Sequence, residues 1–219
     1  MKYSAIDLRE TRNIKEAMLF CDEVFNSIPK EEFENFVLKK GKDRFYKDFW
    51  DEYYPLSMYS CLKYCNEDYK IFLCANGCKV DAQIIDNNGH CIETIQITTA
   101  SFDYNSALKN EKMHEDGFSL GVGSFNRNKD GSISQRRGIR SEDTALHEES
   151  HQIMKAINKK LKNNTYKNID VLLVVTEFRF NKVIKDYYKK LINSLSLNQQ
   201  KRFKELYIID YSNVLINLS

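Results

Sequence analysis

The fold class this chain predicts is α/β on the α+β border, a mixed β-sheet preceded by a helical segment, and three observations predict it. The spacing of apolar residues changes from helical to alternating near residue 67. The turn signals Asn76-Gly77 and Asn88-Gly89 cut the alternating region into three short strands. Asp170 then precedes Val171-Leu172-Leu173-Val174-Val175, an unbroken apolar run typical of a strand covered on both faces. The order is helices, an antiparallel meander, then α-β-α-β.

In the first part, Ile14 to Ile28 places Ala17, Met18, Phe20, Val24 and Phe25 at helical spacing, and Pro29 ends it. Glu31 to Lys39 and the aromatic stretch Arg44 to Tyr54 follow, and Pro55 opens a further helix to about Cys65. The strands of the meander are Tyr69–Ala75, Lys79–Ile85 and Cys91–Thr98. Residues 101–140 read as a long irregular insertion. A helix then starts at the cap Ser141 and runs to about Lys162 with Leu146, Ile153, Ile157 and Leu161 inward. A basic helix from Asn181 to Leu195 leads to a last strand, Glu205 to Asp210. Two units are expected: a helical segment, 1–66, packing on a core, 67–219, that carries the insertion.

Composition narrows the function classes. The 219 residues are 42% apolar and 29% charged, with two prolines and eight glycines, which leaves no place for a disordered or low-complexity chain. No apolar run approaches the roughly 18–20 residues that span a bilayer, and the start lacks the apolar stretch of a signal peptide. A cytoplasmic protein with no membrane partner is expected, its six cysteines reduced and buried rather than paired in disulfides. The net charge of +2 hides an asymmetry: residues 133–204 hold 16 Lys/Arg against 7 Asp/Glu, so the remainder is acidic. A basic C-terminal half suits a polyanion, and Arg136, Arg137, Arg140 and Lys155 are the expected phosphate contacts.

Chemistry concentrates on the second hairpin. If Asn88-Gly89 is a two-residue turn, Asp81 faces Gln96, and Asp81, Gln83, Thr94, Gln96 and Thr98 share one polar face. If Asn87-Asn88-Gly89 is a three-residue loop with a glycine bulge, Glu93 joins the face of Asp81 instead. Binary patterning favours the first register. Oxygens converging from neighbouring strands make a hard site for Mg²⁺ or Mn²⁺, and such a cation activates water and neutralises a scissile phosphate.

Asp81 in Val80-Asp81-Ala82, the strand Ile92 to Ala100, the helix ending Ile157-Asn158-Lys159-Lys160-Leu161 and the apolar strand at Leu172 to Val175 together resemble the PD-(D/E)xK nuclease superfamily, the restriction-endonuclease-like fold. The resemblance spans Tyr69 to about Asp210. It implies a metal-dependent endonuclease acting on DNA or RNA, with Asp81 as first ligand and Glu93 or Gln96 as second. A Gln at the second position resembles one subgroup, and Glu52 would be the further acid that some members supply from an N-terminal helix. The chain departs from the pattern where the family keeps a lysine, a place held by Thr98. Lys155 or Lys159 from the following helix would then substitute as the catalytic cation, or the protein binds nucleic acid without cleaving it. A homodimer is left open.

A second motif competes. His147-Glu148-Glu149-Ser150-His151 matches HExxH, in which a helix sets two imidazoles on one face for Zn²⁺ with Glu148 as general base. This alternative is a zinc-dependent metallopeptidase. Its third ligand would have to be Glu177, and the charged Glu149 and the lysine-rich continuation of the helix argue against it.

Overall fold

Asn13 starts the first long helix with a reciprocal cap. Its Oδ1 accepts from the Glu16 amide at 2.8 Å, and Glu16 Oε2 accepts from the Asn13 amide at 3.2 Å, satisfying two donors that a helix N-terminus otherwise leaves unpaired. Helix α1, Ile14–Ser27, buries Ile14, Ala17, Phe20, Cys21 and Val24 along one stripe. The computed structural model describes residues 3–29, 44–75, 77–100, 108, 112, 124–136, 142–162, 169–176, 203–210 and 214–217, with the side chains of Ser124, Arg136 and 142–149 outside that description. The helices expected at Glu31–Lys39 and Asn181–Leu195 lie outside the described residues.

The aromatic stretch is helical but not uniform. Helix α2, Arg44–Asp48, passes into a π-helical turn, Phe49–Tyr53, and then into α3, Tyr54–Lys63, with Pro55 in its first turn. Phe49 and Tyr53 are fully buried and stack at 6.3 Å. Phe20, Phe25 and Trp50 pack edge-on or tilted around them, the geometry that ring quadrupoles favour.

Among the described residues, seven strands form one mixed sheet in the order β1-β2-β3-β4-β7-β8-β9. They are β1 (Arg12–Asn13), β2 (Lys70–Leu73), β3 (Ala82–Ile85), β4 (Cys91–Ala100), β7 (Ile169–Thr176), β8 (Phe203–Asp210) and β9 (Leu215–Asn217). The expected meander is present as antiparallel β2, β3 and β4, and β7 lies parallel to both β4 and β8. β1 and β9 are additions at the two edges; two or three residues are too few to leave a period in the sequence.

Helices cover both faces. One face packs Ala82, Ile84, Ile95, Ile97, Val171 and Leu173 against α1, α2 and α3. The other packs Leu172, Val174 and Ile208 against Ile153, Ile157 and Leu161 of α4, Glu142–Lys162. This double cover explains the apolar run of β7, where residues from Val171 to Thr176 are all buried. The described residues of the helical segment and of the sheet share one apolar cluster.

The insertion between β4 and α4 is not wholly irregular. A hairpin of β5 (Ser124–Arg127) and β6 (Ile133–Arg136) forms a separate two-stranded sheet, with Phe125 and Ile133 packed on Leu108.

Candidate functional site

The turn between β3 and β4 decides which side chains meet. Asp86 and His90 pair across it through Asp86 N to His90 O at 3.0 Å, which encloses the three-residue loop Asn87-Asn88-Gly89 with Gly89 at φ +83°. This is the longer of the two turns that the sequence allows, and Ile85 accordingly pairs with Cys91. The register then shifts between Ile84 and Ile85, so that Ile84 pairs with Glu93 and Ala82 with Ile95. The bulge admits one extra residue on β4 and brings the strands into the register that puts Asp81 and Gln96 on one face.

Asp81 sits just before β3 with its backbone fixed on both sides. Its amide donates to Ile95 O at 3.0 Å, and its carbonyl accepts from Cys74 N at 2.8 Å. Its carboxylate Oδ2 accepts from the Ile97 amide at 2.7 Å and from Gln96 Nε2. The Lys160 ammonium on α4 lies 3.8 Å from the same oxygen. Gln96 is 1% exposed, and because its Nε2 is engaged by a carboxylate that can only accept, the amide orientation is fixed. Its Oε1 is left buried with no hydrogen-bond partner among the described residues. A buried acceptor of that kind costs about 1–3 kcal/mol unless something outside the chain satisfies it.

Charge is similarly unbalanced. Burial pushes the Asp81 carboxyl up despite Lys160 and the Ile97 amide, and burial pulls the Lys160 ammonium down despite Asp81 and Glu52. Both partners therefore move toward their neutral forms: desolvation outweighs their pairing. Glu52, on the π-helical turn, belongs to the same group. Burial first, and then the negative charges of Asp81, Asp48 and Asp51, push its carboxyl up to about 7. π-turns inside helices often occur at functional positions, and this one packs on β4, the middle strand of the sheet.

These residues fit a hard divalent cation. A carboxylate and the amide that meets it lie on neighbouring strands, the amide oxygen is buried without a partner, and the charge of Asp81 acts on a second acid, Glu52, a set of oxygens that could hold Mg²⁺ or Mn²⁺. Among the described residues no three His, Cys, Asp or Glu side chains converge as a metal cluster.

Other expected site residues fall elsewhere. Glu93 is not beside Asp81: side chains alternate along β4, and its odd offset from Gln96 turns it to the opposite face. There its Oε1 takes a 2.6 Å ion pair from Lys63, and its Oε2 accepts from Tyr59 at 2.7 Å. Lys159 is exposed, one position round the helix from the lysine that reaches Asp81, and Lys155 is exposed as well. Arg136 ends β6, while Arg137 and Arg140 lie outside the described residues. Of the zinc alternative, His151 is exposed on α4, and the side chains of His147 and Glu148 lie outside the described residues, as does Glu177. All six cysteines are free, but only Cys21 is buried; Cys65, Cys78 and Cys91 are exposed, which corrects the expectation of buried thiols.

Lys160 is the site residue that the sequence reading passed over. Its signal was the phase of α4: it follows Ile157 by three positions and Ile153 by seven, on the edge of the inward stripe. No protein-family model matches the chain, and comparison with curated proteins and with solved structures finds no similar protein.

Proposed function

We propose that this chain is a metal-dependent nuclease, hydrolysing phosphodiester bonds at Asp81, Gln96 and Lys160 with Glu52 in support. One observation carries the reading: Gln96 Oε1 is buried without a partner, and the same side chain's amide nitrogen holds the carboxyl of Asp81, which burial pushes up. Asp81 and Gln96 would hold Mg²⁺ or Mn²⁺, which when bound supplies an activated water and charge neutralisation at the phosphate.

The chain's own groups divide the remaining work. The Ile97 amide and Gln96 Nε2 fix the Asp81 carboxylate, so it is oriented before any ligand arrives. Lys160, half-buried with 16% of its side chain exposed, is placed to donate to a phosphate oxygen or to the attacking water. It would do from α4 what the superfamily's lysine does from the strand, where this chain has Thr98. A carboxyl at about 7, as in Glu52, is suited to exchange a proton with water near neutral pH.

The catalytically inactive binding protein is the competing reading, and Lys160 weighs against it by supplying the cation that the strand lacks. The test is cleavage of plasmid and oligonucleotide substrates by the full chain in Mg²⁺ or Mn²⁺. Cleavage that EDTA abolishes and Lys160→Met lowers at least about a hundredfold supports the enzyme. Tight nucleic-acid binding with no turnover in either metal supports the inactive reading instead.

A further inference from the structure

We infer that the outer face of α4 holds the substrate, seated in the major groove of duplex DNA with Lys155, Lys159 and Lys162 on backbone phosphates. This rests on the nuclease reading and adds which nucleic acid is bound and by which residues. The same helix carries the site. Lys160, next to Lys159 in the chain and about 100° round the helix from it, turns inward to within 3.8 Å of Asp81 Oδ2. A phosphate chain held by Lys159 is therefore one residue from the lysine that approaches Asp81.

The helix has two unlike faces. Ile153, Ile157 and Leu161 are buried against the sheet, whereas Lys155, Lys159 and Lys162 are exposed. Lys159 follows Lys155 by four positions and precedes Lys162 by three, so the three ammonium groups share one stripe. From Ser150 to Lys162 the helix holds four lysines and no acid. None of the three outer lysines makes an ion pair with another described residue. Like charges at that spacing destabilise a helix, and nothing in the described chain offsets them. The helix dipole favours bases in the last turn, which accounts for Lys159 and Lys162. It does not extend to Lys155, seven residues before the end. A polyanion laid along the stripe offsets all three.

The dimensions and chemistry of this face select the partner. Lys155 to Lys162 covers about 10 Å of helix axis, about three nucleotide steps of one strand. From Ser150 to Lys162 there is no Phe, Tyr or Trp on which unpaired bases could stack, which disfavours a single strand. A helix is about 10–12 Å across with its side chains, and the major groove of B-DNA, about 12 Å wide, admits it with phosphates on both rims. The deep, narrow major groove of A-form RNA does not admit it.

The test is fluorescence anisotropy of a labelled mixed-sequence DNA duplex against the full chain in EDTA, over a salt series. An RNA duplex and a DNA single strand of the same sequence serve as competitors. Lys155→Ala/Lys162→Ala, which spares Lys160, is expected to weaken duplex-DNA binding about tenfold and to lower the slope of log K against log salt by about two. Alanine suits an exposed helical position, so the melting temperature should hold. Lys15→Ala/Lys47→Ala removes the same charge from α1 and α2, across the sheet, and is expected to change binding less than about twofold. Lys155→Glu, an exposed single change, repeats the test should the double variant melt early. Wild-type affinity in the α4 variants, or RNA duplex or single strand bound as well as duplex DNA, overturns the inference while leaving a cleaving enzyme intact. A wild-type chain that neither binds nor cleaves DNA overturns the nuclease reading itself.

Discussion

Glu93 and Gln96 stand three positions apart on β4 and serve opposite faces of the sheet: Glu93 is clamped by Lys63 and Tyr59 beneath α3, whereas Gln96 meets Asp81, which Lys160 approaches from α4. Alternation along β4 sets the two apart, and the bulge at Ile84/Ile85 decides that Gln96 rather than Glu93 shares the face of Asp81. Without it, the register at the turn would continue, and Glu93 would face the same way as Asp81.

The Glu93 clamp is structural and partly desolvated, with 7% of the Glu93 side chain and 20% of Lys63 exposed. Lys63 also holds Glu205 at 2.6 Å and lies 4.8 Å from the centre of the Tyr207 ring. Lys63→Met is expected to cost about 3 kcal/mol, because it strands a buried carboxylate, and Glu93→Gln in the same chain to recover part of that loss. Urea titration of the single and double variants measures both. Glu93→Gln alone should leave divalent-metal binding unchanged.

Gln96→Leu separates stability from function. It removes an unsatisfied buried acceptor and one donor to Asp81, effects of opposite sign, so the metal-free chain should stay within about 1 kcal/mol of the parent. The rise in melting temperature on adding Mn²⁺ should disappear. Thermal melts with and without the ion read both quantities.

Glu52 predicts an unusual pH dependence. Its carboxyl is raised from an ordinary 4.5 to about 7, so between those values the folded chain keeps a proton that the unfolded chain releases. Stability therefore falls as pH rises through that window, by at most about 3 kcal/mol, and is fully present below it. Glu52→Gln should flatten this slope and make the metal-free protein more stable than the parent at pH 8. Denaturant melts in EDTA across the pH range check the sign.

Much of this architecture was legible in the sequence, and the failures have identifiable causes. Alternation from Lys79 to Thr98 and the Asn-Gly turns specify the meander, and binary patterning puts Asp81 and Gln96 on one face, where their side chains meet. It could not reveal that the turn takes the other register, because a bulge that cancels a one-residue slip leaves the pattern at the site unchanged. The β5–β6 hairpin carried a readable signal, Asp130-Gly131 between Phe125 and Ile133, obscured by the polar residues around it. Lys160 was obscured by abundance: Lys155, Lys159, Lys160 and Lys162 look alike until the inward stripe of Ile153 and Ile157 sets the phase of the helix. Neither Gln96 Oε1 lacking a partner nor the displaced carboxyl of Glu52 could be read from residue order, since both arise from burial contributed by distant segments.

The most direct measurement is calorimetric titration of the metal-free chain with Mn²⁺, for the parent and for Asp81→Asn, Gln96→Leu and Glu93→Gln. The account predicts one ion bound by the parent and by Glu93→Gln, and none by the other two. An ion retained in Asp81→Asn and lost in His147→Ala/His151→Ala would contradict it and move the metal to the helix.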